Sequence, residues 1–467
     1  MVEHPTAFDA IVVGTGQAGK PLAHALADQG SRTAIIEAGR VGGTCVIDGC
    51  TPTKTMVASA RVAHLAKRSS DFGVETGSVL VDMAAVRARM RSVVDDFSSS
   101  SRRSLEEHDR IDLMKGEARF VAPGTLAVDP GNGHRSFTIT APRIFLNVGG
   151  RPAIPSIPGL DAVDYLTSSS VLELETLPRH LAILGGGPIG LEFGQIFRRF
   201  GKKVTVIEQG DRLLRREDED VSEALLQIFR DDGIEVLTSS SLQSVSMVAG
   251  GGVALDVETE HEKRTIVASH LLVAVGRTPN TDRLHLDAAG LSTDDQGFLP
   301  VDSRCRTKVD GIWALGDMTG APPFTHIAYD DFRVVAADVL PGRPSHTRDD
   351  RLLSWVIYTD PELGRVGVTE AEAGRRGMNV RVAKLPMSSW ARAIEMGETR
   401  GFVKCLVDAE SDRIVGVAAL AVQGGEIMSV LQTAMMGDLP YTAIRDAVYA
   451  HPTMAEPLEN LFARLGS

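Results

Sequence analysis

Two cysteines, Cys45 and Cys50, stand five positions apart in Gly42-Gly43-Thr44-Cys45-Val46-Ile47-Asp48-Gly49-Cys50-Thr51-Pro52-Thr53-Lys54, beside a glycine-rich turn where a helix begins. A regular helix would set their Cα atoms about 7.5 Å apart along its axis alone. A disulfide needs roughly 4.4–6.8 Å. A bond between them therefore requires a distorted backbone, which Gly49 permits. In a long chain with only four cysteines, such a pair reads as redox chemistry in preference to a staple. The plain alternative is two unpaired cysteines at a helix start. A second group lies near the other end, Tyr449-Ala450-His451-Pro452-Thr453-Met454-Ala455-Glu456. Its His and Glu are either a helix start with a cap or an imidazole oriented by a carboxylate, as thiol chemistry requires. Cys305 and Cys405 stand alone. Cys405 alternates inside Gly401–Val407 and is expected in a strand core.

The elements that must position these groups are announced by a repeat. Phe8–Val13 has the pattern of a buried strand, runs into Gly14-Thr15-Gly16-Gln17-Ala18-Gly19, and continues as a helical stretch to about Gln29. A second strand, Thr33–Ile36, ends in Glu37. The same order recurs: His180–Leu184, then Gly185-Gly186-Gly187-Pro188-Ile189-Gly190, a helix to about Phe200, and Val204–Ile207 ending in Glu208. In both copies the first glycine precedes the acid by 23 residues. This is the βαβ dinucleotide pattern. Glycines Gly14, Gly16, Gly19 and Gly185, Gly187, Gly190 allow a tight turn and close backbone approach, the helix N-terminus faces a pyrophosphate, and the acid meets a ribose diol. Two complete copies predict two bound dinucleotides. The cysteine pair directly follows the first copy, so that copy is expected to hold FAD, which can exchange electrons with a disulfide. The second is expected to hold a nicotinamide nucleotide. Glu208 favours NADH, because a carboxylate repels a 2′-phosphate. Arg212, Arg215 and Arg216 could offset this in favour of NADPH, or could be a solvated helix start paired with Glu217 and Asp218.

Size and charge bound the class. The chain has 467 residues and a net charge of −12. The length calls for three or four domains. The charge argues against nucleic acid and anionic membranes as partners. No apolar run reaches membrane-spanning length. The start, Met1 to Asp9, is short and polar without a signal-peptide pattern. With few cysteines, the expected compartment is the cytoplasm. Residues 82–108 read as one long helix on Met83, Val86, Met90, Val93, Val94 and Phe97, with the Ser98–Ser101 run inside it. Val273–Asn280 is expected to be a strand and turn containing Gly276, where the chain leaves the second nucleotide unit. Ile312–Asp317 is another strand with an acid at its C-terminal edge, where ligands bind in open parallel sheets. Thr325 is expected to cap a helix from His326 to about Leu340 whose N-terminus could stabilise a reduced flavin. Pro341-Gly342-Arg343-Pro344 breaks the chain. Beyond it, Trp355–Tyr358, Val403–Val407 and Ile414–Val422 read as antiparallel strands with helices between. The expected fold class is α/β: two Rossmann-like domains for FAD and NAD(P) plus a C-terminal α+β dimerisation domain. The boundaries are 1–150 and 281–345 for the FAD domain, 151–280 for the NAD(P) domain and 346–467 for the interface domain.

Assembled in this order, over essentially the whole length, the motifs resemble the flavoprotein disulfide reductases, the group of glutathione reductase, dihydrolipoamide dehydrogenase and mercuric reductase. The resemblance implies an oxidoreductase that passes electrons from NADH through FAD to a Cys45–Cys50 disulfide. Cys45 would then be the interchange thiol and Cys50 the thiolate against the flavin. Lys54 and Glu192 would be an ion pair near the flavin. Gly43, Thr44, Gly149, Gly316 and Asp317 would complete the FAD site, with Asp317 on the ribityl chain. His451 would be the acid/base, Glu456 would orient it, and the pair would serve the cysteines of the other subunit of a homodimer. No resident metal is implied. Pro386–Phe402 and Thr359-Asp360-Pro361 look most like the mercuric reductase branch. The absence of a vicinal cysteine pair in Phe462–Ser467, the lack of an N-terminal metal-binding domain and the presence of His451 argue against Hg(II) as the physiological substrate. The expected acceptor is therefore a small disulfide, a metal ion such as Hg(II) or Cu(II), or another oxidant. The alternatives are dihydrolipoamide dehydrogenase and a redox-sensing flavoprotein whose output is partner binding.

Overall fold

The computed structural model describes residues 6–131 and 133–465. The extreme ends, Met1–Pro5 and Gly466–Ser467, which the sequence reading touched, lie outside them. Contacts divide the chain into two compact units. The first comprises residues 1–56, 84–153 and 276–351, and the second residues 57–83, 154–275 and 352–467.

The first unit is built on a parallel sheet with strand order Ile312–Ala314, Ile144–Leu146, Ala10–Val13, Thr33–Glu37, Ile111–Lys115. Its strands Ile312–Ala314, Ile144–Leu146 and Ala10–Val13 read as unbroken apolar runs because both faces are covered. Side chains alternate between the faces. Ile11, Val13, Ala34, Ile36, Ile144 and Leu146 pack against Phe120, Leu126, Val128 and Ile139 of a three-stranded antiparallel sheet, Glu117–Ala122, Thr125–Asp129 and Phe137–Thr140. Ala10, Val12, Ile35 and Phe145 pack against Leu22, Ala23 and Leu26 of the helix Gly19–Asp28 and Val334 and Val335 of the helix Thr325–Val339.

The second unit repeats the design. Its parallel sheet runs Glu235–Leu237, Lys203–Ile207, His180–Leu184, His270–Val273, with an antiparallel sheet of Ser241–Met247, Val253–Glu258 and Lys263–Ala268 on one face. It also contains a five-stranded antiparallel sheet ordered Ser354–Ile357, Glu362–Gly367, Ile414–Ala421, Phe402–Asp408, Val380–Pro386. The helices Gly424–Met436 and Leu458–Ala463 bury Ile427, Leu431, Leu461 and Phe462 with that sheet. Cys405 lies in this core, as its alternation predicted. The strands Glu362–Gly367 and Val380–Pro386 were not anticipated from the sequence.

Three local expectations are corrected. The long helix exists at Met83–Glu106 and includes the serine run, but Phe97 is exposed while Ser98 and Ser101 are buried. Ser98 tolerates burial by donating its hydroxyl to the Val41 carbonyl at 2.7 Å. Glu217 and Asp218 do not pair with the nearby arginines at a solvated helix start. Both are buried. The Trp355 indole N–H donates to Glu217 at 3.0 Å, and Arg365 donates to Asp218 at 3.0 Å. Thr325 does not cap the following helix. It is the first helical residue, and Phe324 occupies the cap position without a side-chain capping bond.

Candidate active site

The cysteines sit where the backbone had to break. A short helix, Gly43–Ile47, carries Cys45, and a long one, Cys50–Lys67, begins at Cys50. Asp48, with φ −129° and ψ 0°, ends the first. At Gly49 an added Cβ would come within 2.9 Å of the Thr44 carbonyl oxygen, so only glycine lets the second helix start so close behind the first. Both sulfurs are present as thiols, Cys45 half-buried and Cys50 exposed. The Cys50 Sγ lies 3.1 Å from the hydroxyl oxygen of Thr325. The Cys45 thiol is held well above the ordinary thiol range. Its hydrogen bond to Cys50 is the main cause, followed by burial and repulsion from Cys50, with Thr325 and Lys54 acting in the opposite direction. The hydrogen bond couples the titration of the two sulfurs. Lys54 lies one helical turn beyond Cys50.

The first glycine turn adjoins this pair. Gly14 has φ +102°, and a Cβ there would collide with the Asn147 carbonyl oxygen; a Cβ on Gly19 would collide with the Gly14 oxygen. A Cβ on Gly43 would meet the Cα of Gly16 at 2.6 Å, so the turn and the start of the cysteine helix are in backbone contact. Thr44 follows in that short helix. Glu37 accepts the Thr15 backbone N–H at 3.0 Å and the Gly39 N–H at 2.9 Å. Gly149, at φ +63°, leads into Gly150–Pro152, which pairs antiparallel with Arg277–Pro279. Gly316, at φ +73°, opens a single helical turn. Burial pushes the Asp317 carboxyl above its usual range, and Arg277, 3.6 Å away, acts in the opposite direction.

The second glycine turn repeats the backbone bonds of the first. The Gly14 and Gly185 amides donate to Ile36 and Ile207 at 2.8 and 2.9 Å. Glu208 accepts from the Gly186 and Gly210 amides at 2.7 and 2.6 Å, as Glu37 does from Thr15 and Gly39. Gly190 packs on the Gly185 oxygen as Gly19 does on Gly14. Gly187 is the N-cap of the helix Pro188–Arg199, whose proline at the first position is pre-set for a helix start. Gly276, at φ +136°, has open space where a Cβ would point.

In the second unit Glu192 is buried and accepts the Tyr358 backbone N–H at 2.9 Å. His451 Nδ1 is 2.9 Å from both Glu456 oxygens, its side chain is 66% exposed, and this pairing leaves Nε2 available to another group. Trp390, fully buried, donates its indole N–H to the Met454 carbonyl at 3.2 Å and so fixes the segment between His451 and Glu456.

Sequence reasoning missed three participants. Thr325 is 275 positions from Cys50, and no local signal joins them. Asn147, 8% exposed, has a buried side-chain nitrogen without a protein partner, beside Gly16 and Gly19. Asp331, fully buried, accepts the Gly316 amide at 2.7 Å.

Residues 8–331 match the family model of pyridine nucleotide-disulphide oxidoreductases, and residues 353–462 match the dimerisation domain of the same family. The chain belongs to this family. It is 36% identical over 461 residues to the probable pyridine nucleotide-disulfide oxidoreductase RclA of Escherichia coli K12, covering 98% of this chain and 99% of that protein. It is 32% identical to a mercuric reductase of Staphylococcus aureus, covering 97% and 81%, and 32% identical to a dihydrolipoyl dehydrogenase of Bacillus subtilis 168, covering 97% of each. The solved Cu(II) complex of the HOCl-induced flavoprotein disulfide reductase RclA from Escherichia coli superposes with a TM-score of 0.90 at 34% identity, covering 99% and 100%. This chain is therefore a flavoprotein oxidoreductase that works with FAD and a pyridine nucleotide. The orphaned Asn147 amide and the Cβ-free lining at Gly14 and Gly16 fit a dinucleotide lying on the first turn. No helix among the described residues is long and apolar enough to cross a membrane.

Proposed function

We propose that this oxidoreductase takes electrons from NADH and delivers them through the Cys45–Cys50 pair to a small oxidant, with a cupric ion or a small disulfide as the acceptor class. The observation that carries the reading is the hydrogen-bonded sulfur pair on a broken helix, set against the first glycine turn. FAD, when bound, accepts hydride from the nicotinamide and passes an electron pair to a disulfide. The rest is work for the chain's own residues. Cys50 holds negative charge, and Cys45 is the sulfur that meets the acceptor. For a disulfide substrate, His451 of the partner subunit takes the Cys45 proton and returns it to the leaving thiol, while Glu456 fixes its tautomer. An oriented but exposed imidazole suits such service to a second copy, and a matched dimerisation domain supports a homodimer. For Cu(II), two ions accept one electron each as the thiol–thiolate pair returns to a disulfide and releases its one proton. Lys54 and Glu192 are assigned to the flavin side of this route, and Asp317 to its ribityl chain. The relative solved with Cu(II) supports the metal-ion reading.

Glu208 supports NADH, because its carboxylate is pinned by two amides at the place a 2′-phosphate would occupy. Arg215 packs against Gly210 beside it, so NADPH is the weaker donor and not an excluded one. The second reading is dihydrolipoamide dehydrogenase, favoured by the intact His451–Glu456 pair and by the Bacillus relative. The deciding experiment follows NADH oxidation by the purified holoenzyme against Cu(II), Hg(II), lipoamide, glutathione disulfide and quinones. Turnover with Cu(II) or a small disulfide well above the rest supports the first reading. Reduction of NAD by dihydrolipoamide at a comparable rate supports the second. Because the compartment is assigned only by low cysteine content, a cytoplasmic location is part of this proposal.

A further inference from the structure

Ahead of the helix Glu219–Asp231, residues 211–218 form an arch without regular structure against the second glycine turn. The Leu214 amide donates to the Gly186 carbonyl at 3.3 Å, and a Cβ on Gly186 would meet the Leu213 side chain at 2.6 Å. Leu213 and Leu214 are buried, while Arg215 and Arg216 are exposed. Leu214 holds φ +47°, a left-handed conformation that a leucine keeps only where its surroundings impose it. The near end of the arch is fixed by the residues after the strand Glu235–Leu237. The Ser239 and Ser240 amides donate to the Gly210 and Glu208 carbonyls at 2.7 and 3.0 Å.

The far end is held by buried charge. Asp218 occupies the N-cap position of its helix, where an aspartate ordinarily accepts an amide of its own first turn, yet it makes no such bond. Its carboxylate is committed to other elements of the same unit. One oxygen accepts from Arg365, fully buried on the strand Glu362–Gly367, at 3.0 Å, and pairs with Lys404 at 3.0 Å. The other accepts the Glu370 amide at 2.8 Å, where the helix Glu370–Arg375 begins. Glu217, also buried, accepts from the Trp355 indole, and its amide donates back to the Leu214 carbonyl at 2.8 Å. Leu214 is thus tied by one hydrogen bond to the glycine turn and by another to the buried acids.

We propose that Asp218 and Arg365 are positioning residues for the pyridine nucleotide: their buried pair fixes the far end of the arch, and the arch, through Glu217 and Leu214, holds the glycine turn ready for its ligand. The inference rests on the reading that the second glycine turn holds the nicotinamide nucleotide. Both residues act through the arch. An arch already held in place needs no ordering when the nucleotide arrives, so the pair contributes to affinity. It takes no part in the hydride step. Its loss therefore acts on capture of NADH and leaves electron flow from bound NADH to the flavin as it was.

The test follows reduction of the bound flavin by NADH in stopped flow, with holoenzyme as wild type, Asp218→Asn, Arg365→Lys and Gly187→Val. Asparagine keeps the size of Asp218 and removes its charge. Lysine keeps a buried cation and withdraws the guanidinium fork, and it is read alone should Asp218→Asn fail to fold. Each should raise the NADH concentration at half-saturation roughly 3- to 30-fold, the range for residues that act on a site through its support. The limiting rate and the FAD content should stay at wild-type values. Gly187 has φ −84° and open space at its Cβ, so valine suits the backbone but stands where a pyrophosphate would approach. Gly187→Val should abolish saturation by NADH. Unchanged half-saturation in Asp218→Asn or Arg365→Lys, beside a blocked Gly187→Val, overturns the inference alone, as does a lowered limiting rate with half-saturation unmoved. A Gly187→Val enzyme that saturates like wild type overturns the underlying reading, because the second turn then does not hold the nucleotide.

Discussion

Glu37 and Glu208 hold equivalent positions in the two nucleotide units, and each is fastened by two backbone amides before any ribose arrives. The carboxylate is pre-aimed, so its effect on a ligand does not depend on a rotamer search. At Glu208 this makes the charge itself the discriminator. Glu208→Gln should raise the ratio of kcat/KM for NADPH over NADH about tenfold, the change expected when one charge–phosphate repulsion of roughly 1.4 kcal/mol is removed. Steady-state kinetics with both nucleotides check it. An unchanged ratio would take Glu208 out of nucleotide choice. His451 makes the second residue-scale prediction. His451→Ala should leave reduction of the bound flavin by NADH at the wild-type rate while lowering disulfide turnover by about 10²–10⁴-fold, the usual contribution of a positioned acid or base. Stopped-flow absorbance separates the two steps.

At the scale of elements, the Gly316–Thr319 turn and the Thr325–Val339 helix are locked from behind. Asp331, on that helix, accepts the Gly316 amide and pairs with Arg348 at 2.7 Å and with Arg351. Arg348 also donates to the Thr319 hydroxyl at 2.7 Å. A fully buried carboxylate between two arginines is expensive to break from one side, because the remaining charges stay buried. Asp331→Asn should therefore destabilise the protein by about 3–5 kcal/mol and weaken FAD retention, read by thermal melting and by flavin released on gel filtration. A parallel lock holds the second unit. Asp360 pairs with Arg61 and, at 2.6 Å, with Arg199, while Glu398 pairs with Arg61 at 2.6 Å. Burial alone would raise the carboxyls of Asp331 and Asp360, but their arginines more than offset it, and both lie below the usual Asp range. A depressed folded pKa gives stability that is fully present above the unfolded value of about 3.9 and is lost as pH falls through the folded one. Thermal stability should accordingly hold down to about pH 5 and fall steeply below about pH 4. Asp360→Asn should start from a lower melting temperature and show a flatter acid limb. His64, pushed down to about 4 by burial and by Arg199, is neutral beside this cluster through the physiological range and adds no charge to it.

At the scale of the whole molecule, the proposal divides the redox centre between two copies. The cysteines belong to the first unit and the His451–Glu456 pair to the second. A mixture experiment reads the division directly. Cys45→Ser and His451→Ala are each expected to be inactive toward disulfides. Unfolded, combined in equal amounts and refolded, they should recover about a quarter of wild-type turnover if His451 serves the other subunit, because half of the dimers are mixed and each mixed dimer has one intact site. If the histidine served its own subunit, no intact site would form and nothing would be recovered.

The sequence by itself determined the two nucleotide units, the cysteine pair, the break at Gly49 and the His–Glu dyad, because each of these is specified by neighbours within about 25 residues. A glycine that must sit at positive φ, an acid at the end of the next strand and a helix interrupted between two sulfurs leave local traces that no distant contact can erase. Only the tertiary structure decided what Thr325, Asn147, Asp331 and Arg365 do. Thr325 has the local chemistry of a cap, and Glu217 and Asp218 have that of an exposed helix start, yet packing gave the first a sulfur partner and the other two buried partners, Trp355 and Arg365. Such roles arise where side chains from remote segments meet in a place water has left, and a polar group there must take whichever partner the fold brings to it.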